Sequence, residues 1–207
     1  MPPVFTSAYL PPVASVLEMA GASEVLIEQY DSYRKQTFRN RCVIAVADGT
    51  QTLSVPVEKG KPGQLMRDVR ISGHGNWRHL HWNAISSAYM NSPFFLYYED
   101  DFRAVYEKNH EFLIDFNLEL LELVAGLIGL RMEFSFTEHF VNPAEMAASG
   151  SDFRWMDDPG TMRHIRMKPY YQVFEDRNGF IPNLSIADLL FNMGPESLLY
   201  LKNSQTF

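Results

Sequence analysis

A chain of 207 residues with 46% hydrophobic and 21% charged residues has the make-up of an ordinary soluble globular domain, long enough to bury about 70% of the surface its unfolded form exposes without staples. A net charge of −7 repels nucleic acid and anionic membranes, so no nucleic-acid partner is expected and any bound anion needs a local patch. The lone Cys42 forbids an internal disulfide, the start Met1-Pro2-Pro3-Val4-Phe5 lacks a secretory pattern, and the most apolar stretch, Leu120 to Leu130, is too short to span a bilayer. These features point to a cytoplasmic protein without membrane insertion.

Val4 to Ser7 reads as a first strand, broken by Tyr9-Leu10-Pro11-Pro12, and Pro12 suits the first turn of a helix carrying Val13, Val16, Leu17 and Ala20. Glu24 to Gln29 reads as a second strand, so the opening is a strand–helix–strand unit with a parallel pair. Cys42–Val46 and Thr52–Val57 flank Asp48-Gly49 as a hairpin, with Pro56 marking an edge or an end. Glu58 to Gln64 is loop by composition, and Asp68–Ile71 reads as a short strand. Trp77, His81, Ile85 and Tyr89 fall four apart and make one helix stripe. Further helices are expected over Phe94–Lys108 and His110–Leu130, then strands at Met132–Thr137 and Tyr170–Phe174. Short closing helices follow at Leu184–Met193 and Pro195–Lys202. The fold class is α/β: a small mixed sheet with the N-terminal unit and a hairpin, flanked by a helical central and C-terminal portion, in one domain spanning 1–207.

The chemistry centres on Tyr30 to Arg41. On an acidic protein this run holds Arg34, Lys35, Arg39 and Arg41 against Asp31 alone, interleaved with Tyr33, Phe38, Gln36, Thr37 and Asn40. Arginine forks match phosphate or carboxylate and lysine adds a point charge. The run also follows the carboxyl end of the second strand, where open α/β sheets bind ligands. It is either an anion site or a solvated loop. Lys59 and Lys61 either close over the ligand or are solvated too. His81 is either a hydrogen-bonded core residue or, if it faces the basic run, a general acid or base. His74, His79 and His81 lack further ligands at zinc spacing, so no metal is expected. No cofactor fingerprint, nucleophile elbow or P-loop occurs. Asp100-Asp101 and Asp157-Asp158 read as solvated surface, and Asp188 as a surface carboxylate or one aimed into a pocket.

Tyr9-Leu10-Pro11-Pro12, Lys35-x-Thr37-x-x-Asn40-Arg41 and Leu53-Ser54-Val55-Pro56-Val57 together resemble the WbqC-like family of bacteria. Trp77-x-x-x-His81-x-x-x-Ile85-x-x-x-Tyr89, Ser92-Pro93-Phe94-Phe95-x-x-Tyr98 and Phe180 to Pro195 continue the likeness. This chain has Phe5-Thr6-Ser7 where the family has His-Gln-Pro, and Ala14-Ser15-Val16 where it has Gly-Tyr-Phe. The resemblance implies transfer of an acyl or aminoacyl group to a nucleotide-linked sugar in surface-polysaccharide biosynthesis. His81 and Lys35 would be catalytic. Tyr9, Tyr33, Thr37, Arg39, Asn40, Arg41, Trp77, Asn183 and Asp188 would bind the substrate, a nucleotide sugar or sugar phosphate. The alternatives are a scaffold that docks an acidic partner through residues 33–41 and a nucleotidyltransferase-like enzyme.

Overall fold

The computed structural model describes residues 2–147, 151–162 and 164–204. β1 (Val4–Thr6) leads through α1 (Val13–Met19) to β2 (Glu24–Glu28), which lies parallel to it with Val4 opposite Leu26. Pro12 stands just ahead of α1, where its fixed φ and missing N–H cost the helix nothing. β3 (Arg41–Val46) and β4 (Gly49–Ser54) then form the hairpin, with Arg41 opposite Ser54, as a separate two-stranded sheet that ends before Pro56.

Residues 68–71 do not form the expected strand. A 3₁₀ turn occupies Met66–Asp68, and Arg70 and Ile71 make only isolated bridges, to Phe112 and Val57. The change of hydrophobic period is real: α2 (Trp77–Tyr89), α3 (Phe95–Glu107) and α4 (Leu113–Ile128) follow. α4 buries Phe116, Leu120, Val124 and Ile128, the stripe its spacing dictates, and Gly129 at φ 84° lets the chain turn off its end. β5 (Glu133–Phe136) returns beside β2, giving a three-stranded parallel sheet in the order β1-β2-β5.

The C-terminal part wraps this frame. α5 (Pro143–Ala147), a 3₁₀ turn at Arg154–Asp157 and α6 (Pro159–Met162) precede α7 (Glu175–Asn178), α8 (Ile186–Met193) and α9 (Ser197–Asn203). Asp152 bridges the outer edge of β1, where Val4 N–H donates to the Ser151 carbonyl and Phe153 N–H to that of Val4, each at 2.9 Å. Phe153 stacks on Phe5 with ring centroids 5.0 Å apart. Residues 170–174 are irregular rather than a strand, because Asn192 Oδ1 takes the Val173 N–H at 2.9 Å and the side chains of Tyr170 and Gln172 turn inward to Asp188. Among the described residues no helix is long and apolar enough to cross a membrane.

Candidate functional site

The basic run folds as a loop between β2 and β3. Gln36 takes the left-handed conformation at φ 64°, and Thr37 Oγ1 donates to the Arg34 carbonyl at 2.9 Å, closing the tip locally. The cations then divide. Arg39 is fully buried, with Nη1 2.6 Å from Asp157 Oδ2 and Nη2 ion-paired to Asp31. Arg34 donates to the other Asp157 oxygen at 2.8 Å. Burial lifts the Asp157 pKa, and the neighbouring Arg39 and Arg34 oppose that rise. Burial likewise lowers that of Arg39 against the pull of Asp157 and Asp31. Asp157 is therefore buried, not the solvated turn residue its sequence context suggests, because the interior cation needs a counter-charge.

Lys35 and Arg41 remain. Among the described residues neither forms an ion pair. Lys35 and Tyr33 line a cleft of about 410 Å³ whose other wall is the loop Val57–Gln64, including Lys59 and Lys61. Arg41 lies close enough to Tyr33 to pull the phenol pKa down, against the larger upward push of burial. Backbone hydrogen bonds tie the walls together at one end. Tyr33 N–H donates to the Gln64 carbonyl and Met66 N–H to that of Asp31, both at 2.8 Å, while Arg67 N–H reaches the Gln29 carbonyl at 3.1 Å. Three lysines lining one hollow, on a protein of opposite overall charge, can hold a ligand carrying more than one negative charge.

The structure does not bring His81 to Lys35. His81 is buried on α2, with Nδ1 3.0 Å from the Tyr9 hydroxyl, which in turn lies 2.5 Å from the Tyr106 hydroxyl. Trp77 packs edge-on against the ring at 5.1 Å. Burial pulls the His81 pKa down to about 4 despite a hydrogen bond to the Ser54 backbone that raises it, so the ring is neutral at pH 7. It is not among the residues lining the cleft. Asn40 supports the hairpin instead of facing the hollow: Nδ2 donates to the Val55 carbonyl at 2.9 Å, and Val55 N–H returns to the Asn40 carbonyl at 2.8 Å.

Asn183, left-handed at φ 56°, accepts the Ala14 N–H on Oδ1 at 3.0 Å and so ties the C-terminal part to α1. Asp188 is fully buried rather than at the surface. It accepts from Tyr89 at 2.9 Å, Tyr170 at 2.7 Å and Gln172 at 3.0 Å. Burial raises its pKa to about 6, and these donors limit the rise.

The carboxyl end of the parallel sheet is filled by the protein's own groups. Glu28, fully buried, accepts from Thr137 Oγ1 and the Val141 N–H at 2.9 Å and from the Tyr30 N–H at 2.8 Å, with Arg154 Nη1 at 3.4 Å. The open hollow therefore lies farther out along the loop. Among the described residues no group of three or more His, Cys, Asp and Glu is placed to hold a metal ion. Sequence reasoning missed Asp157 as the partner of the run. The available signal was charge: so many cations beside one acid require a counter-ion from elsewhere once one of them is buried.

Comparison with known proteins adds a family and a relative. The family described as the WbqC-like protein family matches residues 7–149, so the closing stretch Phe180 to Pro195 lies outside the match. An uncharacterized protein of Mycobacterium tuberculosis, Rv1507c, is 30% identical over 208 residues, covering 89% of this chain and 90% of its own. No solved structure matches.

Proposed function

Because the chain belongs to the WbqC-like protein family, we propose that it is a cytoplasmic group transferase of surface-polysaccharide biosynthesis, holding a nucleotide-linked sugar or sugar phosphate in the cleft between Tyr33–Lys35 and the loop Val57–Gln64. The observation that carries this reading is a set of cations without an ion pair among the described residues: Lys35, Lys59 and Lys61 line one hollow, with Arg41 near Tyr33. The lysines take the phosphate oxygens and Tyr33 stacks on the base or sugar. Lys35 also stabilises charge that develops during transfer of an acyl or aminoacyl group, a contribution of about 2.7–4 kcal/mol for one such donor in well-studied sites. Tyr9, Thr37, Arg39, Asn40, Trp77, His81, Asn183 and Asp188 act as the scaffold behind the cleft.

A second reading, a binding protein without chemistry, is favoured by one feature: the imidazole expected to move protons is sequestered with Tyr9. The test is a thermal-shift panel of nucleotide sugars, in which a true ligand raises the unfolding midpoint by mass action, followed by titration of Lys35→Ala. That variant should fold normally and bind about tenfold more weakly, a loss of about 1.4 kcal/mol. Unchanged affinity overturns the cleft. Binding that survives without any transferred product, whatever acyl or aminoacyl donor is supplied, selects the second reading.

A further inference from the structure

We propose that Asp157 is the positioning residue of this cleft: it clamps the loop that presents Lys35, and through Arg39 and Asp31 sets that loop against the opposite wall, without touching the ligand. The proposal rests on the reading of the cleft given above. Three contacts bracket Lys35. Arg34, just before it, donates to Asp157 Oδ1 at 2.8 Å. After it, Phe38 N–H donates to the Asp157 carbonyl at 2.8 Å, and Arg39 Nη1 meets Oδ2 at 2.6 Å. Asp157 itself is not among the residues lining the cleft.

The clamp is anchored on the sheet. Asp157 ends the turn Arg154–Asp157, in which Arg154 reaches Glu28 at the end of β2, and Phe153 just before it stacks on Phe5 of β1. It also reaches the far wall. Arg39 pairs with Asp31, whose carbonyl accepts the Met66 N–H at 2.8 Å, two residues past Gln64. One carboxylate thus fixes the spacing between Lys35 and the loop that carries Lys59 and Lys61. Buried ion pairs add little net stability over an apolar replacement, so what this pair contributes is register. Among the described residues Arg34 and Arg39 are both spent on Asp157, which leaves Lys35 without an ion pair at the tip.

The experiment is calorimetric titration with two probes, UDP-glucose and inorganic pyrophosphate, on the wild type, Lys35→Ala, Asp157→Asn, Asp157→Glu and the double variant Lys35→Ala/Asp157→Asn. Asp157→Asn should weaken binding about fivefold or more, and Asp157→Glu, which keeps the charge, should recover most of it. In the Lys35→Ala background Asp157→Asn should cost less than about twofold, because groups acting through one another are not additive.

Binding of neither probe by the wild type, or unchanged binding by Lys35→Ala, overturns the cleft and the proposal with it. Weakening by Lys35→Ala with wild-type binding by Asp157→Asn overturns the positioning role alone. Losses that simply add, or no rescue by Glu, also overturn it, since a merely structural residue would behave so. Should Asp157→Asn fail to fold, Arg34→Gln removes one arm of the clamp from a half-exposed side chain, and the same additivity criterion decides.

Discussion

The Arg39 guanidinium and the Asp157 carboxylate meet at 2.6 Å inside the protein, one from the loop after β2 and the other from the turn between α5 and α6. Removing Arg39 leaves the buried Asp157 carboxylate with the half-exposed Arg34, and removing Asp157 leaves the buried Arg39 with Asp31, so either loss under-compensates an interior charge. Arg39→Ala should cost about 3–5 kcal/mol, read as a lower urea midpoint. Arg39→Met combined with Asp157→Leu should cost less than Arg39→Ala alone. A double variant as unstable as the sum of the single ones would mean that the pair is not a closed unit.

Two buried groups give opposite responses to acid. His81 titrates near pH 4 in the folded protein against an ordinary 6.5, so between those values the unfolded chain binds the proton more readily and stability falls as pH drops. Asp188 titrates near 6 against an ordinary 3.8, so there the folded protein binds the proton more readily and stability rises as pH drops. In the wild type the two offset one another between roughly pH 6 and 4. Asp188→Asn should uncover the histidine, losing about 3 kcal/mol more than the wild type over that fall in pH. Parallel urea midpoints for the two proteins across the range would remove the Asp188 shift, and an Asp188→Asn variant whose midpoint does not fall with pH would remove that of His81.

Gly194 ends α8 at φ 50°, and a Cβ there would lie 2.4 Å from Phe94 Cδ1 and 2.5 Å from Cγ, near the root of that ring. Gly194→Ala should therefore cost about 2–4 kcal/mol and lower Tm by about 5–15 °C. Gly21→Ala is the control, since a Cβ there meets nothing within 4 Å and its φ is not in the left-handed region. Its Tm should stay within about 2 °C of the wild type. Similar shifts for both variants would remove the steric account.

Much of the frame was legible because periodicity reports burial directly. The stripe Trp77, His81, Ile85 and Tyr89 is buried along α2, and the alternation before residue 137 becomes β5. Where a side-chain acceptor competes for the backbone, pattern fails: Tyr170 to Phe174 looks like a strand, yet Asn192 claims the Val173 N–H that pairing would need, while Asp188 draws the side chains of Tyr170 and Gln172 inward. For the site, composition exposed both basic segments that now face each other. It could not say which cations stay free, because that depends on Asp157, far away in sequence. Nor could it orient His81, whose stripe fits core and catalysis alike until the Tyr9 hydroxyl is found on its Nδ1.

The pairing of residues 151–153 along Val4 bears on how the protein can be shortened. A polypeptide stopped at residue 149, where the family match ends, would bare one whole flank of β1 and leave the Val4 amide and carbonyl seeking partners. A second copy offers a matching ribbon, so such a fragment is expected to stack into insoluble aggregates. The tail beyond residue 149 thus also serves as a guard rail against self-adhesion.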